Sequence, residues 1–322
     1  VNIGPAALRD AGRRWIPSGE NLSDWGYAAG WRLVRAMPEM LARNVFDAGA
    51  WYAARDGGPE QLRKNLARVI GVTPAEVPES LMRAALESYA RYWREAFRLP
   101  SMNLTAVAQR LDKVFVGAEH FAHAHRAGRG AVMALPHSGN WDMAGVWLAQ
   151  NYGRFTTVAE RLKPESLYDR FIEFRESLGF EVLPTKGGDR PPMEVLAERL
   201  RENVFVCLMA DRDLSRSGVP VQFFGEATRL PAGPAKLAIE TGAPLHPAHV
   251  YYDGDDCIVQ IDDAIDTRSG DIGVITQALA DRFAVNIAAH PQDWHMLQPL
   301  WLADLSDERR ARLSEVAPED RR

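Results

Sequence analysis

What most constrains the fold of this chain is the texture that begins near residue 130. Short runs rich in β-formers recur, and stretches of helix length fill the gaps between them. The runs are AVMALP (131–136), FTTVAE (155–160), FEVLP (180–184), VFVCLMA (204–210), VPVQFF (219–224), HPAHVYY (246–252) and CIVQID (257–262). Helical patterning falls near 141–150, 165–178, 191–202, 232–241 and 271–289. Alternation of this kind makes the helices crossovers between strands of a largely parallel sheet. Residues 1–125 read differently, as helices over 25–54, 59–71 and 78–98, with Gly71 a C-cap of the second. The expected fold class is α/β: an α-β-α sandwich around a mostly parallel central sheet, with a helical N-terminal region. We read one domain over 1–322, divided into a mainly helical part (1–125), an α/β core (126–305) and a polar tail (306–322).

Composition removes several function classes. Hydrophobic residues make up 46% and charged residues 25% of the 322, which excludes a disordered or collagenous chain. The net charge of −5 offers no global basic field for nucleic acid. Two cysteines, Cys207 and Cys257, lie in apolar runs and read as small core residues of strands in a reducing, cytosolic chain. The opening residues lack the apolar stretch of a signal peptide, and no run of about 18 apolar residues is present to span a bilayer. The segment from Trp25 to Ala54 interleaves Trp31, Met37, Met40, Leu41, Trp51 and Tyr52 with Arg32, Arg35 and Arg43. Aromatics and arginines on an amphipathic helix suit a membrane interface. A pair of helices packed on the core gives the same pattern. Pro38 interrupts or starts a helix there.

The strongest chemical candidate is PHSGNWD (136–142). His137 follows directly on a predicted strand, and Asp142 falls in the first turns of the next helix. On one continuous helix, five residues rotate by about 140°, which parts the two side chains. They meet if the chain bends back at Ser138-Gly139-Asn140, where Gly139 permits the bend and Ser138 or Asn140 caps the helix. A carboxylate on one imidazole nitrogen fixes the tautomer and leaves the other nitrogen to take a proton. A histidine that merely caps an element is the plainer alternative. No G-x-S-x-G elbow occurs, so Ser138 is not read as a hydrolase nucleophile.

Ligands of open α/β sheets gather outside the carboxyl ends of the strands. Those ends supply His137, then Glu160-Arg161, then Pro184-Thr185-Lys186, then Asp211-Arg212-Asp213. Carboxylates with arginines suit a hydroxyl-rich acceptor and an anionic donor or head group. Weaker signals are set aside. His120, His123 and His125 do not share a helix face, so no metal site is expected. Gly128 and Gly130 are a fragment of a dinucleotide fingerprint, and Asp253, Asp255 and Asp256 lack calcium-loop spacing. HPQDWHMLQPLW, near the end, is open between core packing and the lip of an interface.

A strand followed by H-S-G-N-W-D resembles the His-x4-Asp block of glycerolipid-type acyltransferases, in the G-N-W form of the lipid A late acyltransferases. VAERLKPESLYDRFIEFRESLG (158–179) and VCLMADRDLSRSGVPVQFFGEATRLPAGPAKLA (206–238) resemble that branch's later blocks, in order. The likeness covers roughly residues 25–300. The D-R-D-L-S-R-S-G stretch and the excess of arginine are most similar to the actinobacterial members, which acylate phosphatidylinositol mannosides. The resemblance implies transfer of a long-chain acyl group, typically palmitoyl, from acyl-CoA to the 6-hydroxyl of a mannose. Acyl transfer to another glycolipid such as lipid A, a thioesterase and a non-catalytic lipid carrier are the alternatives. It further implies an apolar slot between helix layer and sheet, and peripheral attachment to the cytoplasmic face of the plasma membrane through Trp25–Ala54. The partners are then acyl-CoA, a membrane glycolipid acceptor and the inner-leaflet surface, with no metal, cofactor or nucleic acid. On this reading His137 is the general base, Asp142 orients it and Asp211 is a second carboxylate of the site. Glu160, Arg161, Arg175 and Arg229 bind substrate. One departure stands out: lipid A members usually carry Glu where this chain has Asp142, and the shorter side chain must still reach the imidazole.

Overall fold

Pro38, with φ −54° and ψ 144°, opens the first long helix and cannot itself continue one. From it run α1 (Glu39–Ala53), α2 (Glu60–Ile70), α3 (Glu79–Arg98), α4 (Leu104–Asp112) and α5 (Ala118–Arg126). Helix α2 ends on Gly71 in the left-handed conformation, as its sequence predicts. The structure is a computed structural model that describes residues 30, 32–160, 165–213, 215 and 217–314. Trp25, Trp31, Arg161 and the end of the polar tail lie outside the described residues.

The predicted alternation then follows. It comprises β1 (Val132–Leu135), α6 (Trp141–Tyr152), β2 (Phe155–Ala159), α7 (Glu165–Ser177), β3 (Phe180–Pro184), α8 (Pro192–Arg201) and β4 (Val206–Met209). After it come β5 (Val219–Phe223), β6 (Glu226–Leu230), α9 (Gly233–Thr241), β7 (Leu245–Asp253), β8 (Asp256–Ile261), α10 (Ile272–Ala289) and α11 (Asp307–Ser314). The main sheet has the order β3-β2-β4-β1-β7-β8. All its neighbours pair in parallel except β7 and β8. The VPVQFF run leaves this sheet. It pairs antiparallel with β6, a strand the sequence patterning does not announce. The reason is local: Phe224 and Gly225, at φ 50° and 77°, form a two-residue turn that folds the chain back on itself.

Helices cover both faces. On one, Val132, Ala134, Val206 and Leu208 of the sheet meet α8, α9 and α10 around Leu196, Leu237 and Phe283, with Trp294 and Trp301 in the same cluster. On the other, Met133, Leu135, Phe155 and Phe180 meet α4, α5, α6 and α7. Helix α1 is the exception to this economy. It packs on α3 but buries only Ala42 and Ala50. Met40, Leu41, Val45, Trp51 and Tyr52 are exposed, Met40 by 76% and Tyr52 by 70%. At 100° per residue these five fall within an arc of about 140°, an apolar stripe interrupted by Asn44 and facing away from the protein. Among the described residues no helix is long and apolar enough to cross a membrane.

Candidate active site

Strand register assembles the site. Leu135 of β1 is level with Met209 of β4. His137 and Asp211 each follow two residues later, so they emerge side by side at the carboxyl edge of adjacent parallel strands. From β1 the chain crosses one face of the sheet through α6, and from β4 it reaches α9 on the other face. Neighbouring strands whose connections diverge in this way leave a crevice between their carboxyl ends, where open α/β sheets bind ligands.

Asp211 is fully buried, and its Oδ1 lies 2.7 Å from His137 Nδ1. A carboxylate only accepts, so Nδ1 carries the proton and Nε2 keeps its lone pair. Asp211 Oδ2 accepts from the His137 backbone N–H at 2.9 Å and from Trp294 Nε1 at 3.0 Å. Burial opposes the charge on Asp211, yet these donors and the neighbouring imidazole hold its carboxyl below the usual range. For His137 too, burial works against the charged form. The Asp211 charge and hydrogen bond outweigh it and set the imidazole above its ordinary value, while Arg212 and Arg175 pull the other way. The ring is not sealed, since 38% of the side chain is exposed.

The bend at 138–140 is present, but it does not bring Asp142 to His137. Gly139 sits at φ 55°, and a Cβ there would lie 2.5 Å from the Val250 carbonyl oxygen, so the turn requires glycine. Asn140 caps α6 by accepting from the Met143 N–H at 3.0 Å, and is held by Glu95 Oε2, which accepts from Asn140 Nδ2 at 2.9 Å. Helix α6 starting there turns Asp142 inward, to accept from Arg175 Nε at 3.0 Å and from the Tyr92 hydroxyl at 3.2 Å. The expectation that Asp142 orients His137 is therefore corrected: Asp211 does so. Arg175 is likewise committed to Asp142, and its charge persists in a buried setting because that carboxylate is beside it.

The other predicted residues are dispersed. Glu160 is exposed just after β2, where its charge acts on Arg212. Arg229, on β6, donates to the Gly218 carbonyl at 3.1 Å, and its own carbonyl accepts from the Asp213 N–H at 3.0 Å, so it braces the loop that carries Asp211. Ser138 is buried against His249 Nδ1 at 3.1 Å rather than against His137. His120 turns to His246 and Asp263, and His125 to Asn203 and Tyr152, so that cluster does not converge. Sequence reasoning missed Tyr92 and Glu95, which nothing in α3 distinguishes from ordinary helix residues. It also left Trp294 unassigned, though HPQDWHM was noticed as unusual.

Beside the crevice a narrow apolar channel, with a cavity volume of about 70 Å³, runs across the sheet beneath α6. Met209 and Leu135, which precede the two dyad residues, line it, as do Trp141, Asp142 and Arg175. Phe155 and Phe180 lie toward one end and Phe115, Val259 and Ile261 toward the other. The Trp141 ring stands edge-on to the His137 ring, with centroids 5.6 Å apart.

Comparison with known proteins gives a family and two relatives of high identity. A family profile described as bacterial lipid A biosynthesis acyltransferase matches residues 18–303. The phosphatidylinositol mannoside acyltransferase of Mycolicibacterium smegmatis is 70% identical over 298 residues, covering 92% of this chain and 97% of that protein. Its namesake in Mycobacterium tuberculosis is 68% identical over 291 residues, 90% of this chain and 92% of that one.

Proposed function

The chain belongs to the bacterial lipid A biosynthesis acyltransferase family, and we propose that it moves a palmitoyl-type acyl chain from acyl-CoA to the 6-hydroxyl of a mannose on a phosphatidylinositol mannoside. The observation that carries this reading is an Asp211-paired imidazole with an open second nitrogen, beside an apolar channel. His137 Nε2 takes the proton of the mannose hydroxyl as that oxygen attacks the thioester carbonyl. The tetrahedral adduct collapses, the carbon–sulfur bond breaks, and CoA leaves as a thiolate that takes the proton from the imidazolium. No metal or redox group enters the step. Each methylene buried in the channel contributes about 0.8 kcal/mol, so a 16-carbon chain contributes on the order of 10 kcal/mol before ordering costs. We assign Glu160 to the acceptor's hydroxyls, and the Asp142–Arg175 pair to holding the wall of the channel.

A lipid acceptor has to be taken from a bilayer, and the bare stripe of α1 supports docking to the cytoplasmic leaflet. Replacing Met40 and Trp51 by Asp is expected to abolish sedimentation with phospholipid vesicles without lowering the melting temperature. Vesicle binding unchanged in that variant removes α1 from the reading.

The chemistry is tested by CoA thiol release from palmitoyl-CoA, with and without a phosphatidylinositol mannoside, for wild type and His137→Ala. We expect acceptor-stimulated release that falls by about 10²–10⁴-fold in the variant. Release indifferent to this acceptor means another glycolipid or a thioesterase, and palmitoyl-CoA binding without turnover means a carrier.

A further inference from the structure

The dyad is assembled from two strand ends, and a third segment, 293–295, grips both of them. Its backbone straddles the loop after β1. The Gly139 N–H donates to the Asp293 carbonyl at 2.9 Å, and the His295 N–H donates to the His137 carbonyl at 2.7 Å. Between them Ser138 and Trp294 form an isolated antiparallel bridge. The Trp294 side chain then reaches the other half of the dyad and donates its indole N–H to Asp211 Oδ2. Trp294 is fully buried. Its ring is fixed by Phe223 and Trp301, at centroid distances of 6.2 and 6.1 Å and near-perpendicular angles. The indole therefore has little freedom to follow Asp211 and instead dictates where Asp211 sits.

Resting on the acyl-transfer reading above, we infer that Trp294 is a positioning residue of the reaction: its indole N–H fixes the Asp211 carboxylate, and through it the orientation and basicity of His137. Oδ2 has two donors, the indole and the His137 backbone. Both disperse the carboxylate charge away from Oδ1, which faces the imidazole. Removing the indole donor concentrates charge on the histidine side and stabilises the imidazolium. The base then needs a higher pH to lose its proton, and the carboxylate is freer to rotate. The charged and titratable groups facing His137 are Asp211 and Arg212 after β4, Arg175 of α7, and His295 beside Trp294. None of these is altered by a substitution at 294.

The test compares wild type with Trp294→Phe, which keeps an apolar ring and loses the N–H. A benzothienylalanine at 294, isosteric with the indole and lacking the donor, replaces it if the phenylalanine variant does not fold. The readouts are kcat, KM for palmitoyl-CoA, the midpoint of the acid limb of kcat, and the His137 titration followed by NMR of histidine Cε1. We expect kcat to fall about tenfold with KM within about twofold, and both midpoints to rise by about half a unit. In an Asp211→Asn background the same change should have no further effect on kcat, because its route runs through the carboxylate. Unmoved midpoints, or a loss that simply multiplies with Asp211→Asn, overturn the inference. Wild type and His137→Ala run alongside as controls. If wild type shows no acceptor-stimulated release, or His137→Ala retains it, the acyl-transfer reading fails instead. If both controls behave as proposed while Trp294→Phe matches wild type, only the role of Trp294 is lost.

Discussion

Two buried carboxylates belong to the candidate site, and they behave differently. Asp142 is five residues away from His137 in sequence, is 2% exposed, and binds Arg175 and Tyr92. Asp211 is 74 residues away, fully buried, and binds the imidazole. Nearness along the chain fixes where a side chain sits on a helix, whereas strand register fixes what it meets across a sheet. Asp142 lies in the first turn of α6 and faces the channel beneath it. Asp211 lies two residues past the end of β4, and His137 two residues past the end of its neighbour β1.

The comparison is sharpened first by the variant with the largest expected effect. In Asp211→Asn the imidazole loses its charge partner and its fixed tautomer, and kcat should fall on the order of 10³-fold in acceptor-dependent CoA release. Asp142→Asn should act chiefly on the fold. It leaves the Arg175 guanidinium buried and without its counter-charge, and removing one partner of a buried pair costs about 3–5 kcal/mol in denaturant unfolding. Replacing both partners, by Asp142→Leu with Arg175→Met, should recover most of that loss. If the double variant is stable yet as inactive as Asp211→Asn, the two carboxylates are not divided between chemistry and architecture, and the distinction drawn between them is broken.

Much of the fold was legible because its signals are local. Alternating β-rich and helical runs gave the layered α/β class, Gly71 gave a helix end, and Pro38 gave a helix start. The β5–β6 hairpin was not legible, since its positive-φ turn includes Phe224, a residue type that rarely adopts that conformation. At the site, His137 and the Gly139 bend were readable from residue type and spacing. The pairing of His137 with Asp211 was not, because it depends on β4 lying next to β1 although β2 and β3 come between them in the chain. The loop contacts of Arg229 were not legible for a related reason: an arginine near a strand end looks the same in sequence whether or not it braces a loop, and the Gly218 and Asp213 bonds appear only in the fold.

The smallest expected effect is in pH dependence, and it tests which carboxylate governs the base. Burial favours neutral His137, but Asp211 outweighs it, so the folded value lies above the ordinary 6.5. Activity requires the neutral ring and should rise with pH through a midpoint above that value. The stability contributed by the His137–Asp211 pair runs the opposite way. It is fully present below the unfolded value and is lost as pH rises through the folded one. Over one window kcat therefore climbs while this increment of stability declines, which paired kcat and melting-temperature profiles will register. Asp211→Asn should move the kcat midpoint below 6.5, since burial then acts without opposition. Asp142→Asn should move it only slightly downward, by leaving Arg175, which already disfavours the imidazolium, without its counter-charge. A midpoint that follows Asp142 as strongly as Asp211 would mean that both carboxylates set the proton affinity of His137, and that strand register alone does not choose its partner.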